Sequence, residues 1–154
     1  MTEAKKAEAD PLRAGVSRRV VDVDPSMRGP GMRLWCDPFV AVETDLTVTA
    51  LVLSWSGRTV VILGCDLLLV GFDTAGEVRR RVAEAVGTPT SHVLLNCSHT
   101  HSAPGTSEWR TADDDEQRAM ELRFEARITR AAVDAAVEAS RSLRPARSSS
   151  TRSS

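Results

Sequence analysis

Two β-branched runs, Thr47 to Ser54 and Thr59 to Cys65, are separated only by Trp55-Ser56-Gly57-Arg58. A short connection with a glycine predicts an antiparallel hairpin. Apolar residues fall on both faces of these strands, so burial from both sides is expected. Upstream, Ala14 to Val23 predicts a first strand closed by Asp24-Pro25, and Met27 to Gly31 carries the glycine and proline of a loop.

After Asp66 the period changes. Val78, Val82 and Val86 recur at helical spacing, Thr74-Ala75-Gly76-Glu77 has the form of a capping box, and Gly87 stands where a helix would end. A helix over about 75–86 is predicted. Pro89 breaks the chain, and His92 to Cys97 makes the next strand. Strand, helix and strand then form a βαβ unit with parallel strands, which brings both strand ends to one edge of the sheet. Farther on, Asp113-Asp114-Asp115-Glu116 suits the positive end of a helix dipole, and Met120, Phe124, Ile128, Ala131 and Ala135 form an apolar stripe. This second helix is predicted to reach about Leu143 and to pack its stripe on the sheet.

The fold class implied is α/β: a mixed β-sheet with an N-terminal hairpin, a βαβ unit and a long C-terminal helix. Residues 1–11 read as a solvated, disordered leader, 12–143 as the ordered segment, and 144–154 as a disordered Ser/Arg tail that cannot build a core. No internal repeat is present.

Composition narrows the function classes. With 154 residues, 42% hydrophobic content and a net charge of −1, one domain is expected and a nucleic-acid partner is not. Met1 to Pro11 lacks the apolar core of a secretory signal, and the apolar stretch Val60 to Phe72 is interrupted by Asp66. A soluble, cytoplasmic chain without a transmembrane segment is therefore expected. Cys36, Cys65 and Cys97 are odd in number and widely spaced, which predicts reduced, mostly buried thiols. Nothing in the pattern fixes an oligomeric state.

Chemistry concentrates in Ser98-His99-Thr100-His101-Ser102-Ala103-Pro104-Gly105, which follows the apolar Val93-Leu94-Leu95. If the backbone stays extended, His99 and His101 project to one face and both rings can approach one metal ion. A ligating imidazole needs its other nitrogen held, and Ser98, Thr100 and Ser102 offer hydroxyls nearby. A catalytic zinc site typically takes three protein ligands, so two histidines are too few. Asp66 shares the sheet edge, as a further ligand, as a partner that fixes an imidazole tautomer, or simply as a strand-end carboxylate capping backbone amides.

Other candidates read more plainly. His92 is an exposed turn histidine, and Cys97 is a strand cysteine acting as a small hydrophobe, although it could join a Cys-x-His-x-His face. Arg79-Arg80-Arg81 is a solvated helix face. Asp113 to Glu116 is a helix start rather than a calcium loop. Gly29-Pro30-Gly31 does not follow the strand–helix pattern of a nucleotide loop.

Taken in order, Ala14-Gly15-Val16, Asp24-Pro25, Met27-Arg28-Gly29-Pro30-Gly31, Cys65-Asp66-Leu67 and then Val93-Leu94-Leu95 leading into the His99/His101 motif resemble the N-terminal part of neutral/alkaline non-lysosomal ceramidases and their bacterial relatives. The resemblance covers roughly 12–143, and the His-Thr-His-Ser-x-Pro-Gly core is its specific part. It implies a partial version of a larger α/β catalytic domain, and a zinc-dependent amidohydrolase that cleaves the N-acyl amide bond of ceramide-like lipids with metal-activated water. Carried over, His99 is a ligand of Zn2+ and His101 lines the same catalytic site. The family's remaining ligands are a further histidine, a glutamate and a tyrosine from much later in longer chains. Here no histidine follows His101, the chain has no tyrosine, and Ala103 and Thr106 stand where the family has glycine. The resemblance then implies a truncated or frameshifted member with exposed sheet edges and apolar surface. Two alternatives stay open: a non-catalytic α/β binding or scaffold module, and a metal site built from His99, His101 and Asp66, either within the one chain or completed by a second subunit.

Overall fold

The computed structural model describes residues 11–28, 39, 41–106 and 115–152. Five strands form one sheet in the order β4-β3-β2-β1-β5, namely β1 (Arg13–Val21), β2 (Leu46–Trp55), β3 (Arg58–Cys65), β4 (Val93–Cys97) and β5 (Arg144–Pro145). Among the described residues the sheet is joined by two α-helices, α1 (Phe72–Val86) and α2 (Asp115–Arg141), and a short 3-10 turn at Thr90–His92. The β1–β2, β2–β3 and β1–β5 pairs are antiparallel and β3–β4 is parallel, as an α/β fold with a hairpin and a βαβ unit requires.

The hairpin turns on Ser56 and Gly57, both with positive φ (48° and 71°), the conformation that matches the right-handed twist of two flanking strands. Val48, Ala50 and Val52 of β2 and Val61, Leu63 and Cys65 of β3 point to one side, where Val78 and Val82 of α1 and Phe124, Ile128, Ala132 and Ala135 of α2 close the core. Every residue of the predicted α2 stripe is buried. The contact with the sheet is tightest at Gly15. A Cβ there would overlap the carbonyl oxygen of Ala139 and come within 3.1 Å of Ser142 Oγ, so glycine lets α2 lie directly on the β1 backbone.

Several boundaries differ from the sequence pattern. Strand β1 stops at Val21, and Asp24 ends the segment by accepting hydrogen bonds from Ser26 N (3.0 Å) and Ser26 Oγ (2.7 Å). Those bonds hold the Asp24 carboxyl below its ordinary range. Helix α1 begins three residues before the expected start, with Gly71 as its N-cap and no side-chain cap bond, so Thr74 and Glu77 lie inside the helix and form no capping box. Nothing in Phe72-Asp73-Thr74 breaks a helix, and Asp73 favours its positive end. At the other end Gly87 takes the left-handed conformation and returns its N–H to Ala83 O, as the pattern predicts. Helix α2 ends at Arg141, and Arg144–Pro145, expected in the tail, instead pair with Arg13 and Ala14.

The opposite face of the sheet also departs from expectation. Val16, Leu51, Ile62 and Leu94 are register partners in one row across four strands, yet Val16 is 61% and Leu94 57% exposed. No helix among the described residues covers this face. Nor is any helix of the described residues long and apolar enough to cross a membrane.

Candidate functional site

Strands β3 and β4 end in register at Cys65 and Cys97, and the two loops that leave them are stitched together. Ser98 N donates to Cys65 O (2.9 Å) and His99 N to Leu67 O (3.0 Å), while Thr106 Oγ1 reaches Leu69 O (3.4 Å). Ala103, Pro104, Gly105 and Thr106 are buried beneath the motif, so the histidines sit on a packed floor rather than a free loop.

The backbone does not run extended through the motif. His99 has φ of 62°, in the left-handed region, and this kink rather than strand alternation brings the rings together. The imidazoles of His99 and His101 meet edge to face, with centroids 5.2 Å apart and planes at 84°. His99 and Ser56 are the described non-glycine residues with positive φ, so the alanine at 103 and the threonine at 106 cost the loop nothing. A left-handed histidine costs about 1–2 kcal/mol, the sort of local strain that gathers at functional sites.

The His99 ring is held by backbone. Its Nδ1 lies 3.1 Å from Leu68 O, an arrangement that requires a proton on Nδ1 to donate to the carbonyl and, in the neutral ring, puts the lone pair on Nε2. The nearby hydroxyls do not take this role, since Thr100 Oγ1 instead accepts from Ser102 N (3.2 Å). No sequence signal points to Leu68, because any residue could supply that carbonyl. His101 is half-buried, with a buried Nδ1.

Asp66 shares the edge but faces β2. Its Oδ2 accepts from Thr47 N (3.0 Å) and Thr47 Oγ1 (2.7 Å), and its own N–H donates to Thr47 O (3.0 Å). Among the described residues no group of three His, Cys, Asp or Glu side chains is placed to hold a metal ion. The donors present fit part of a zinc site: one imidazole oriented as a ligand requires, and a second beside it. Cys65 is buried and Cys97 half-buried, both as free thiols. Burial pushes both thiols up, Cys65 to about 12, so neither offers a ready thiolate.

The remaining candidates are structural. His92 is half-buried rather than exposed, because its Nδ1 lies 3.0 Å from Thr59 O and ties the turn before β4 to β3. Arg79 also leaves the solvated face and donates to Val93 O (3.1 Å), whereas Arg80 and Arg81 pair with Glu77 and Glu84 on the helix surface. Cys36, Gly29-Pro30-Gly31 and Asp113-Asp114 lie outside the described residues.

Among solved structures, neutral ceramidase from Pseudomonas aeruginosa matches 88% of this chain with a TM-score of 0.68 and 19% identity. The chain has the fold of a neutral ceramidase segment. A second structure, of a ceramidase complexed with C2, matches the same share with a TM-score of 0.61 and 18% identity. In each case the chain spans only 22% of the ceramidase's length. No protein-family profile matches the chain, and no curated protein does.

Proposed function

We propose that this chain is the histidine-bearing segment of a zinc-dependent amidohydrolase resembling neutral ceramidase, acting on the N-acyl amide bond of ceramide-like lipids. The observation that carries the reading is the His99 ring: Nδ1 held on Leu68 O, the ring set edge to face with His101 by a left-handed backbone, all at the C-terminal ends of two parallel strands. Likeness to ceramidase in fold supports it.

Zinc at such a site supplies a Lewis acid that activates water at neutral pH and polarises an amide carbonyl. His99 would hold the ion through Nε2, and the Leu68 carbonyl, accepting from Nδ1–H, would orient the ring and make that nitrogen a stronger donor to the metal. His101, beside it and partly shielded from solvent, would line the reacting atoms and orient the amide. Asp66 would act at one remove, fixing the start of β2 through Thr47. The remaining ligands would come from polypeptide outside these 154 residues.

Equilibrium dialysis against zinc tests this reading, with His99→Ala and His92→Ala beside the unaltered chain and folding checked by circular dichroism. Weak zinc uptake lost in His99→Ala and kept in His92→Ala supports it. Folded protein without histidine-dependent zinc uptake leaves the scaffold-module alternative.

A further inference from the structure

Strand β5 pairs with β1 only at Arg13 and Ala14, so beyond them the outer side of β1 has no strand partner among the described residues. Beside this open edge runs a groove of about 460 Å³ between β1 and α2. Arg19 enters it from the helix side of β1, opposite Val48 in the register, and Arg123, Arg127 and Arg130 line it from α2. Their spacing of four and three residues puts the last three on one helix face. Asp22 and Asp134 bring negative charge to the same groove, and the Asp24 carboxylate lies near enough to Arg127 and Arg123 to feel their charge.

Among the described residues none of these four arginines is in an ion pair; the salt bridges there belong to Arg80 and Arg81. Arg127 Nη1 donates to Asp22 O (3.1 Å) and Arg19 Nη1 to Ser17 Oγ (3.0 Å) and Arg18 O (3.0 Å). Both guanidiniums are thereby positioned by neutral oxygens and keep donors to spare. Four guanidiniums outnumber the aspartates Asp22, Asp24 and Asp134, and the positive excess in the groove favours an anionic occupant.

We propose that this groove binds an extended acidic peptide segment, which adds to the open edge of β1 and places alternate carboxylates on the arginines. Main-chain hydrogen bonds along β1 would supply affinity and the arginines would select acidic side chains, the division of labour usual in strand addition. The spacing agrees: alternate residues of a strand repeat at about 6.7 Å, and four residues of helix, as from Arg123 to Arg127, rise about 6 Å. A flat anionic membrane would meet neither the recessed edge nor this repeat.

The test is fluorescence anisotropy of a labelled octapeptide of alternating Val and Glu, titrated with the full chain. Binding is expected, with a loss of at least tenfold in the double variant Arg123→Glu/Arg130→Glu, whose side chains are exposed, and a similar loss for the peptide N-methylated at alternate amides. An alternating Val and Lys peptide should not bind. The proposal is overturned if the charge-reversed, folded variant binds equally or if the N-methylated peptide binds as well as its parent. Absence of binding to the Glu peptide, or retention only on phosphatidylserine vesicles, overturns it too.

Discussion

The Nδ1 atom of His99 lies 3.1 Å from the carbonyl oxygen of Leu68, a residue 31 positions earlier in the chain. That bond joins the loop after β4 to the loop after β3 and fixes which imidazole nitrogen faces outward. It also explains why a histidine is tolerated at φ of 62°. Glycine would satisfy the backbone there without strain. His99→Gly is therefore expected to leave stability unchanged or raise it by up to about 1 kcal/mol while abolishing zinc uptake, whereas His99→Val, β-branched, destabilises. Urea unfolding of the three proteins checks the order.

Asp66 separates a cap from a ligand. Removing its carboxylate in Asp66→Ala leaves Thr47 N–H and Oγ1 without their acceptor and should cost about 1–3 kcal/mol. Zinc uptake per folded molecule should stay the same. Loss of zinc uptake in the folded variant would make Asp66 a ligand after all.

How much of this was legible in the sequence follows from where the signal lies. The hairpin is local: Ser56-Gly57 is the kind of pair that accepts positive φ, and the β-branched runs flank it. The α2 stripe is equally local, because its period is that of the helix. The start of α1 is not, since Thr74 and Glu77 match a capping box that the chain passes through as helix. The His99/His101 pair is visible as a motif, but its kink and its Leu68 partner depend on packing between loops far apart in the chain. Arg144–Pro145 look like tail by composition and become a strand only because β1 has a free edge there.

The uncovered sheet face carries its own expectation. Val16, Leu51, Ile62 and Leu94 form an apolar row, half-buried in the middle and exposed at both ends. Such patches bind dyes and promote association. Val16→Thr/Leu94→Thr keeps β-propensity, should change stability by no more than about 0.5 kcal/mol, and should lower anilinonaphthalene sulfonate fluorescence and raise solubility. Undiminished dye binding would place the apolar surface elsewhere.

Alkaline pH should weaken the fold through Cys65. Burial first, then Cys97 and Asp66 nearby, pushes its thiol from an ordinary 9.0 up to about 12. Native protein then keeps a proton that the unfolded chain releases. The associated stability is fully present below about pH 9 and is lost between there and about 12, at no more than about 1.4 kcal/mol per pH unit. Denaturant unfolding between pH 8 and 10 should show the decline, and Cys65→Ala should flatten it while lowering stability at pH 8. A flat profile in the unaltered chain would contradict the assigned burial.

Nitrogen-15 NMR of the imidazoles during a zinc titration tests the central claim most directly, since it reads the tautomer and the ligating atom together. Before zinc, His99 should show its proton on Nδ1. On addition, Nε2 of His99 should shift as a metal ligand while Nδ1 keeps its proton, and the His101 resonances should move with it but those of His92 should not. A His99 ring protonated on Nε2, or one that saturating zinc leaves unmoved, would contradict the account.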